Sequence, residues 1–292
     1  MADPTASTGG QLLVVSTPIG NLGDITLRAL DSLRAADLIL AEDTRTTRKL
    51  LERYELGTPM LACHEHNEAA ITPRILERLA NGEAIALVSD AGTPLLSDPG
   101  RRLVSSVIDA GHQVIPVPGA SALLPALVAS GLDPGRFTFL GFLARKGVHR
   151  AEEFELIATS PVTTVLYEAP RRLAETLAEL AAAAGADRKA AVARELTKLH
   201  EEIRRGTLEE LAAYYSEHPP RGEIVIVVAP GEAPAVSQDT LREEARGMLS
   251  AGMSPREVQR ALISQHGASR NVAYRLAHQP TDTDPANSGS SK

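Results

Sequence analysis

The fold is decided by the stretch from residue 12 to residue 51, which reads LLVVSTPIGNLGDITLRALDSLRAADLILAEDTRTTRKLL. Two short apolar runs, at residues 12–15 and 38–41, contain almost no polar side chains, which is typical of strands covered by helices on both faces. The segments at 25–34 and 44–53 carry apolar residues at helical spacing instead. This alternation of strand and helix predicts a parallel α/β sheet.

The same pattern continues along most of the chain. Strands at 84–88 and 114–117, with helices at 70–80 and 100–110, complete a predicted N-terminal α/β domain at residues 11–131. A turn-rich segment at 131–135 then precedes a predicted C-terminal α/β domain at residues 136–230. In that domain the predicted strands are 137–142, 162–167, 190–194 and 224–228, and the predicted helices are 149–158, 170–184 and 207–217.

The C-terminal part of the chain has a helical pattern and carries more basic than acidic residues, unlike the chain as a whole. Ser254, Pro255 and Glu257 form a capping box with proline at the first helical position, so a helix is predicted to begin there. Residues 240–278 contain six Arg and three Glu, whereas the whole chain has a net charge of −7. This helical appendix, residues 238–278, is either a solvated surface or a patch that faces phosphate. Residues 1–10 and 279–292 are predicted to be a disordered lead-in and a disordered tail.

Composition excludes several classes of protein. Four Phe, five Tyr and no Trp argue against an aromatic platform that stacks on single-stranded nucleic acid. The negative net charge argues against a protein that coats nucleic acid with a basic surface. The single cysteine, Cys63, excludes an internal disulfide and a Cys-rich zinc site. No apolar run approaches the roughly 18 residues of a membrane span. The first ten residues lack the features of a secretory signal, so we expect a cytoplasmic protein without a membrane partner.

Four loops that follow first-domain strands are rich in small or turn-forming residues, and ligands of open parallel sheets bind at this edge. The loops are residues 16–24, 41–48, 89–100 and 116–122. The first is neither a dinucleotide fingerprint nor a phosphate-binding P-loop, and by itself it can be an ordinary turn. The third and fourth are longer or more rigid than a connection requires, which favours a preformed binding site.

Charged residues also follow several strands. Glu42, Asp43 and Arg45 occupy the second loop, where Asp43 can alternatively be a helix cap. In the second domain, charged clusters at 167–172 and 194–198 follow strands, and they are either surface pairs or one half of a polar site. His64 and His66 lack an evident third ligand, so no metal site is predicted. Cys63 is interpreted as a small buried residue rather than a nucleophile.

Seven blocks of the sequence, in this order, resemble the ribosomal RNA small-subunit methyltransferase I family of the tetrapyrrole-methylase superfamily. The blocks are STPIGNLGDITLRAL (16–30), AEDTRTTRKLL (41–51), LVSDAGTPLLSDPG (87–100), VIPVPGASA (114–122), LYEAPRRL (166–173), RELTKLHEE (194–202) and GEIVIVV (222–228). The resemblance covers residues 11–278. It implies two α/β domains with S-adenosylmethionine in the cleft between them, and 2′-O-methylation of a cytidine in small-subunit (16S) rRNA. It also implies a homodimer and, as partner, free rRNA or the assembled small subunit.

The resemblance further implies which residues touch the cofactor. These are Ile19, Ala91, Gly92, Thr93, Leu96, Ser121, Ala122 and Tyr167. The tetrapyrrole enzymes proper usually have Gly-Asp-Pro where this chain has Gly92-Thr93-Pro94, and a threonine can donate as well as accept a hydrogen bond.

The implied reaction is an in-line displacement that needs a positioned hydroxyl and a proton acceptor. The candidate catalytic residues, which the sequence does not rank, are Asp43, Arg45, Glu168, Glu195 and Lys198, with Glu42 as a further polar candidate at the cleft. Two alternatives remain open. One is another methylase of this fold that acts on a tetrapyrrole or a protein side chain, and the other is a non-catalytic RNA- or nucleotide-binding module.

Overall fold

The computed structural model describes residues 10–231, 238–266 and 268–278, which form two compact units. The first unit holds residues 10–158 and 162–229, and the second holds residues 159–161 with the described residues from 230 onward. Nearly all of both predicted α/β domains lies in the first unit, so the predicted boundary between them stays a prediction. Residues 1–9 of the predicted lead-in and all of the predicted tail lie outside the described residues.

The first sheet is parallel and has five strands. These are β1 (Gln11–Val15), β2 (Leu38–Ala41), β3 (Met60–Ala62), β4 (Ala84–Val88) and β5 (Gln113–Val117), in the spatial order β3-β2-β4-β1-β5. The helices of this half are α1 (Leu27–Ala35), α2 (Thr44–Arg53), α3 (Glu68–Ala80), α4 (Arg101–Asp109) and α5 (Leu123–Ser130). Because the strands are parallel, all five carboxyl ends meet at one edge, where the predicted loops lie.

The second sheet is mixed. Its strands are β6 (Phe137–Phe142), β7 (Thr163–Glu168), β8 (Lys189–Arg194), β9 (Glu202–Thr207) and β10 (Ile224–Val228), in the order β6-β7-β10-β8-β9. The pair β6–β7 is parallel and the other three pairs are antiparallel. Helices α6 (Val148–Thr159), α7 (Leu173–Ala184) and α8 (Leu208–Glu217) complete this half. The prediction of an α/β protein is confirmed.

Helix α5 packs against the second sheet. Leu123, Ala126 and Leu127 of this helix are buried against Val165 and Val225 of the second sheet. Removing a buried leucine of this kind costs about 2–5 kcal/mol, so this packing holds α5 firmly against the second sheet. The helix ends at Gly131, whose left-handed backbone (φ 80°) begins the predicted turn segment.

The second unit is helical, as predicted. It contains α9 (Gln238–Ser250), α10 (Pro255–His266) and α11 (Arg270–His278) around a small core that includes Val258 and Leu262. The predicted capping box is present: the Ser254 amide donates to Glu257 Oε2 (2.8 Å), and the Glu257 amide donates to Ser254 Oγ (3.4 Å). Across both units, the described residues contain no helix long and apolar enough to cross a membrane.

Candidate active site

A cavity of about 390 Å³ lies within the first unit, at the carboxyl edge of the first sheet. Loops from the first sheet form one wall, and residues of β7, β8 and β10 with their neighbouring loops form the other. Its size is that of a small-molecule site, and its wall mixes apolar side chains with a few carboxylates. All eight residues expected to touch the cofactor line this cavity.

The loops after β1 and β4 are joined by their backbones. Thr17 and Gly92 form an isolated antiparallel bridge in which each amide donates to the other's carbonyl, at 2.8 and 3.0 Å. Gly92 has a φ of +82°, a conformation that a side chain disfavours. The hydroxyls of Ser16 and Thr93 lie 3.1 Å apart, which adds a side-chain contact between the same two loops. The backbone around Gly92 is therefore held rigidly beside Ile19.

The loop after β5 closes onto these two loops. The Thr93 hydroxyl donates to the Ala120 carbonyl (3.3 Å), and a Cβ atom at Gly119 would lie only 3.0 Å from Ser16 Cβ. This close approach requires glycine, and it sets Ser121 and Ala122 on the cavity wall.

Tyr167 forms part of the opposite wall. Its ring makes edge-to-face contacts with Phe139 (centroids 4.9 Å apart) and Phe142 (5.6 Å). Burial and the nearby Asp98 charge raise the pKa of Tyr167, although a hydrogen bond with the Leu123 backbone acts in the opposite direction. The hydroxyl therefore stays protonated at neutral pH.

The first pair of predicted catalytic residues lies outside the cavity lining. Asp43 caps α2 by accepting from the Arg45 amide (2.8 Å) and also pairs with the Arg45 guanidinium. These Arg45 hydrogen bonds lower the pKa of Asp43 to about 2. The Asp43 amide donates to Asp90 Oδ1 (3.0 Å), so the pair lies next to a cavity residue. The Arg45 side chain is 87% exposed, so its guanidinium faces solvent while it pairs with Asp43.

The second pair, Glu195 and Lys198, connects the two halves of the first unit. Lys198 Nζ donates to Glu195 Oε1 (2.8 Å) and to Glu223 Oε2 (3.1 Å). Although burial acts to raise it, the hydrogen bonds from Lys198 and the Glu223 amide hold the pKa of Glu195 below its ordinary value. The Lys198 side chain packs against Gly20, where a Cβ atom would lie 2.5 Å from Lys198 Cγ. The pair thus lies against the loop that follows β1.

Glu168, the fifth predicted catalytic residue, has a fully buried side chain. Its two oxygens accept from the Ala169 amide (2.7 Å) and the Thr176 hydroxyl (2.6 Å), and Arg172 lies 3.4 Å away. Thr176 in turn accepts from Arg150 (3.0 Å). Glu168 also borders the cavity, but because both of its oxygens accept hydrogen bonds within the protein, these contacts favour a role in fixing the end of β7 in the cavity wall rather than one in contact with substrate.

Sequence reasoning assigned no role to Glu223, which pairs with Lys198, nor to two other cavity carboxylates, Asp90 and Asp98. Both lie in the loop after β4 and face Glu42, which was recognised as a polar candidate. Burial raises the pKa of Glu42 and of Asp90, and it raises the pKa of Asp98 to about 6, with the neighbouring carboxylates adding to the shift of Asp98. Only their position at the carboxyl edge signals them in the sequence, because the burial arises from residues distant in the chain.

The His64 and His66 rings meet edge to face with centroids 6.0 Å apart. Within the part of the chain that the structure describes, no group of three or more His, Cys, Asp or Glu is placed to hold a metal ion. Cys63 is buried, and burial raises the pKa of its thiol to about 11, so the neutral thiol is an inert core group.

A family model described as Tetrapyrrole (Corrin/Porphyrin) Methylases matches residues 11–212, which defines the class. Proteins from Synechocystis sp., Mesorhizobium japonicum and Bacillus subtilis, each named "Ribosomal RNA small subunit methyltransferase I", are 45%, 46% and 43% identical to this chain. The matches cover 92%, 95% and 91% of this chain, and 97%, 95% and 94% of the relatives. The chain belongs to the ribosomal RNA small subunit methyltransferase I family, which confirms the resemblance seen in the seven sequence blocks.

Solved structures share the fold at lower identity. Uroporphyrin-III C-methyltransferase from Thermus thermophilus, complexed with S-adenyl homocysteine, superimposes with a TM-score of 0.54 at 20% identity, over 76% of this chain and 97% of that chain. A diphthine synthase superimposes with a TM-score of 0.54 at 17% identity, over 75% and 90% of the two chains. These similarities establish the common architecture of the methylase fold.

Proposed function

We propose that this protein transfers the methyl group of S-adenosylmethionine to the ribose 2′-hydroxyl of a cytidine in small-subunit rRNA. The observation that carries the proposal is the 43–46% identity, over nearly the whole length of both chains, to relatives named for methylation of small-subunit rRNA. The cavity supports it, because the residues expected to touch the cofactor all lie on its wall.

The cavity wall fits the chemistry of S-adenosylmethionine. Apolar Ile19 and Leu96 suit the adenosine, and the small residues around Gly92 allow a ligand to approach the backbone. Asp90 and Asp98 complement the positive charges of a sulfonium and an ammonium group. When bound, the cofactor supplies an electrophilic methyl group. The protein itself has to hold the ribose hydroxyl in line with that group and exclude water.

The charged residues at the edge of the cavity are suited to hold RNA beside it. Arg45 is exposed next to Asp90, and Lys198 lies against the loop that follows β1. Cations in such positions bind phosphate oxygens and fix the register of the nucleic acid. Asp43 orients the Arg45 side chain, and Glu195 orients the Lys198 side chain, through hydrogen bonds.

Alanine at Asp43, Arg45, Glu195 or Lys198 is expected to reduce methylation about 10- to 100-fold, the effect of losing one charged hydrogen bond. S-adenosylhomocysteine should still bind, since these side chains lie outside the cavity lining. Methyl transfer to small subunits from cells lacking the enzyme measures the first effect, and calorimetry measures the second. Arg53→Ala, at the opposite exposed end of α2, is the matched control for Arg45→Ala. Loss of cofactor affinity in all four variants would refute the assignment.

The helical appendix is proposed to strengthen RNA binding. Its six arginines are all exposed, so replacing them with glutamine leaves the core of the second unit intact; they are Arg242, Arg246, Arg256, Arg260, Arg270 and Arg275. The variant with all six substitutions is expected to bind rRNA more weakly. The slope of its log affinity against log salt concentration should be shallower by about 0.7–0.9 for each phosphate group that the arginines no longer neutralise. Filter binding between about 50 and 200 mM salt measures this change. An unchanged slope would mean that these arginines face solvent only.

The alternative substrates come from the structural neighbours, which are named for uroporphyrin methylation and diphthine synthesis. Assaying methyl transfer to unmethylated small subunits against uroporphyrinogen and against the substrate of a diphthine synthase separates the three possibilities. The remaining alternative, a non-catalytic binding module, predicts that no methyl group is transferred to any of them.

The resemblance also leads us to propose a cytoplasmic homodimer. Leu124 and Val128 of α5 support this proposal, because both are more than half exposed and lie one helical turn apart. Analytical ultracentrifugation of the wild type and of Val128→Glu measures whether this face associates.

A further inference from the structure

We propose that Arg145, Lys146 and Arg171 form a binding site for the phosphate backbone of the rRNA strand whose ribose is methylated. These three residues are called the cationic rim. The inference rests on the proposed function and extends it, because it states where on this protein the substrate strand lies beside the cavity.

The cationic rim borders the cavity on the side of the second sheet. Strands β6 and β7 are parallel, with Phe142 paired to Tyr167, so both carboxyl ends lie at the same edge. Phe142, at the end of β6, and Pro170, just after β7, line the cavity. Arg145 follows Phe142 by three residues, and Arg171 is the residue after Pro170. In both segments the chain therefore passes directly from the cavity wall into the rim.

The backbone next to the rim is held in place by hydrogen bonds from two guanidinium groups. Arg150 Nη1 (2.9 Å) and Arg172 Nη2 (3.3 Å) both donate to the Ala144 carbonyl. The Ala144 amide donates to Glu153 Oε2 (2.8 Å). Because Arg172 is the neighbour of Arg171 in the sequence, its contact with Ala144 joins the two segments that carry the rim. A backbone fixed in this way reduces the conformational entropy that is lost on binding.

The side chains of the rim face solvent. All three residues are exposed, and their side chains make neither a hydrogen bond nor an ion pair with the residues that the structure describes. Arg45, by contrast, is paired with Asp43. Lys198 is likewise paired with Glu195. An unpaired cation keeps its full charge for phosphate oxygens and gives up no internal ion pair when it binds them.

Phosphate fits this position because the cavity itself is acidic. Its wall includes the carboxylates of Glu42, Asp90 and Asp98, which repel a phosphate group from the interior. The rim lies outside that lining and supplies positive charge at its border. A strand of RNA can therefore keep its phosphates on the rim while one ribose turns towards the cavity.

The test combines Arg145→Gln, Lys146→Gln and Arg171→Gln, which keep polar side chains and remove three positive charges. Filter binding to unmethylated small subunits at about 50 mM salt is expected to show an affinity about 100-fold lower than that of the wild type. Between about 50 and 200 mM salt, the slope of log affinity against log salt concentration should be shallower by about 2. Calorimetry should show an unchanged affinity for S-adenosylhomocysteine, since the rim lies outside the cavity lining.

The matched control removes three exposed positive charges elsewhere on the first unit, by combining Arg53→Gln, Arg74→Gln and Arg136→Gln. Arg136 gives the sharpest comparison, because it lies just before the amino end of β6, at the opposite end of this strand from the rim. The control is expected to keep the wild-type affinity and salt slope. A second variant preserves the charge of the rim and should keep the wild-type slope as well; it combines Arg145→Lys, Lys146→Arg and Arg171→Lys.

Each outcome decides the proposal. An unchanged slope in the glutamine variant overturns it, and so does an equal loss in the control, which would attribute the effect to net charge alone. Loss of S-adenosylhomocysteine affinity also overturns it, because the rim would then hold the cofactor. If the glutamine variant melts below the wild-type temperature, the three single variants decide instead, each with an expected decrease in slope of about 0.7–0.9.

Failure of the proposed function has a different signature. If the wild type binds small subunits without methylating them, the proposed function fails, whereas the salt slopes still test the rim. If the wild type neither binds nor methylates small subunits, the proposed function and the rim fail together.

Discussion

Glu168→Ala is expected to lower the thermal midpoint of the protein by roughly 10 °C. The substitution leaves the Thr176 hydroxyl and the Ala169 amide without their acceptor in the interior, and it removes the counter-charge of Arg172. Breaking a buried charged network from one side costs about 3–5 kcal/mol. Thermal melting followed by circular dichroism measures the change.

The matched control is Glu217→Ala, which removes an exposed carboxylate at the end of α8 and is expected to change stability by no more than about 0.5 kcal/mol. The pair of variants also separates two roles for Glu168. A variant with the wild-type melting temperature and no methyl transfer would show that Glu168 acts on the substrate, as the sequence suggested. A destabilised variant would show that it supports the end of β7.

Gly92→Val is expected to weaken binding of S-adenosylhomocysteine by about 100-fold or more, which corresponds to roughly 3 kcal/mol. The new side chain needs a backbone with φ of +82°, and its Cβ atom would lie 3.4 Å from Ile19 Cγ2. Both residues line the cavity, so the added methyl groups occupy the space proposed for the cofactor. Isothermal titration calorimetry measures the affinity.

Gly82→Val provides the comparison that isolates this effect. Gly82 has nearly the same backbone angle, φ +87°, but a Cβ atom there meets nothing within 4 Å. The two variants therefore share the backbone strain and differ only in what the side chain contacts. Equal loss of affinity in both would contradict the proposed position of the cofactor and attribute the loss to backbone strain.

The interior strands could be predicted from the sequence because their surroundings are uniform. Strands β2, β4 and β10 are buried along almost their whole length, so continuous runs of Val, Ile, Leu and Ala mark both of their ends. The missed strand β9 reads EIRRGT and lies at the edge of the second sheet, where polar side chains are compatible with a strand. The missed strand β3 has only three residues. Helix α5 was missed because it reads LLPALVAS and has no polar face to reveal its period.

The site likewise contains residues that the sequence predicts and residues whose properties depend on tertiary packing. Residues such as Gly92 and Ser121 could be located because parallel strands bring their loops to one edge, which topology alone predicts. The raised pKa of Asp98 could not be predicted, since it depends on burial and on the charge of Glu42, which follows another strand. Nor does a strand-end position reveal which way a side chain faces. Glu168 and Tyr167 are adjacent in the chain and both border the cavity, yet the Glu168 side chain is fully buried and hydrogen-bonded within the protein, whereas Tyr167 is only partly buried.

The ion pair of Glu195 and Lys198 imposes a constraint on how this chain can evolve. Two glycines distant in sequence make room for it, because a Cβ atom at Gly20 would collide with Lys198 and one at Gly222 would overlap the Glu195 carboxylate. A larger residue at either position becomes acceptable only when its partner in the pair shortens, and the pair is then lost. These four positions are therefore expected to vary together among descendants of this protein, and a change at one alone to be eliminated by selection.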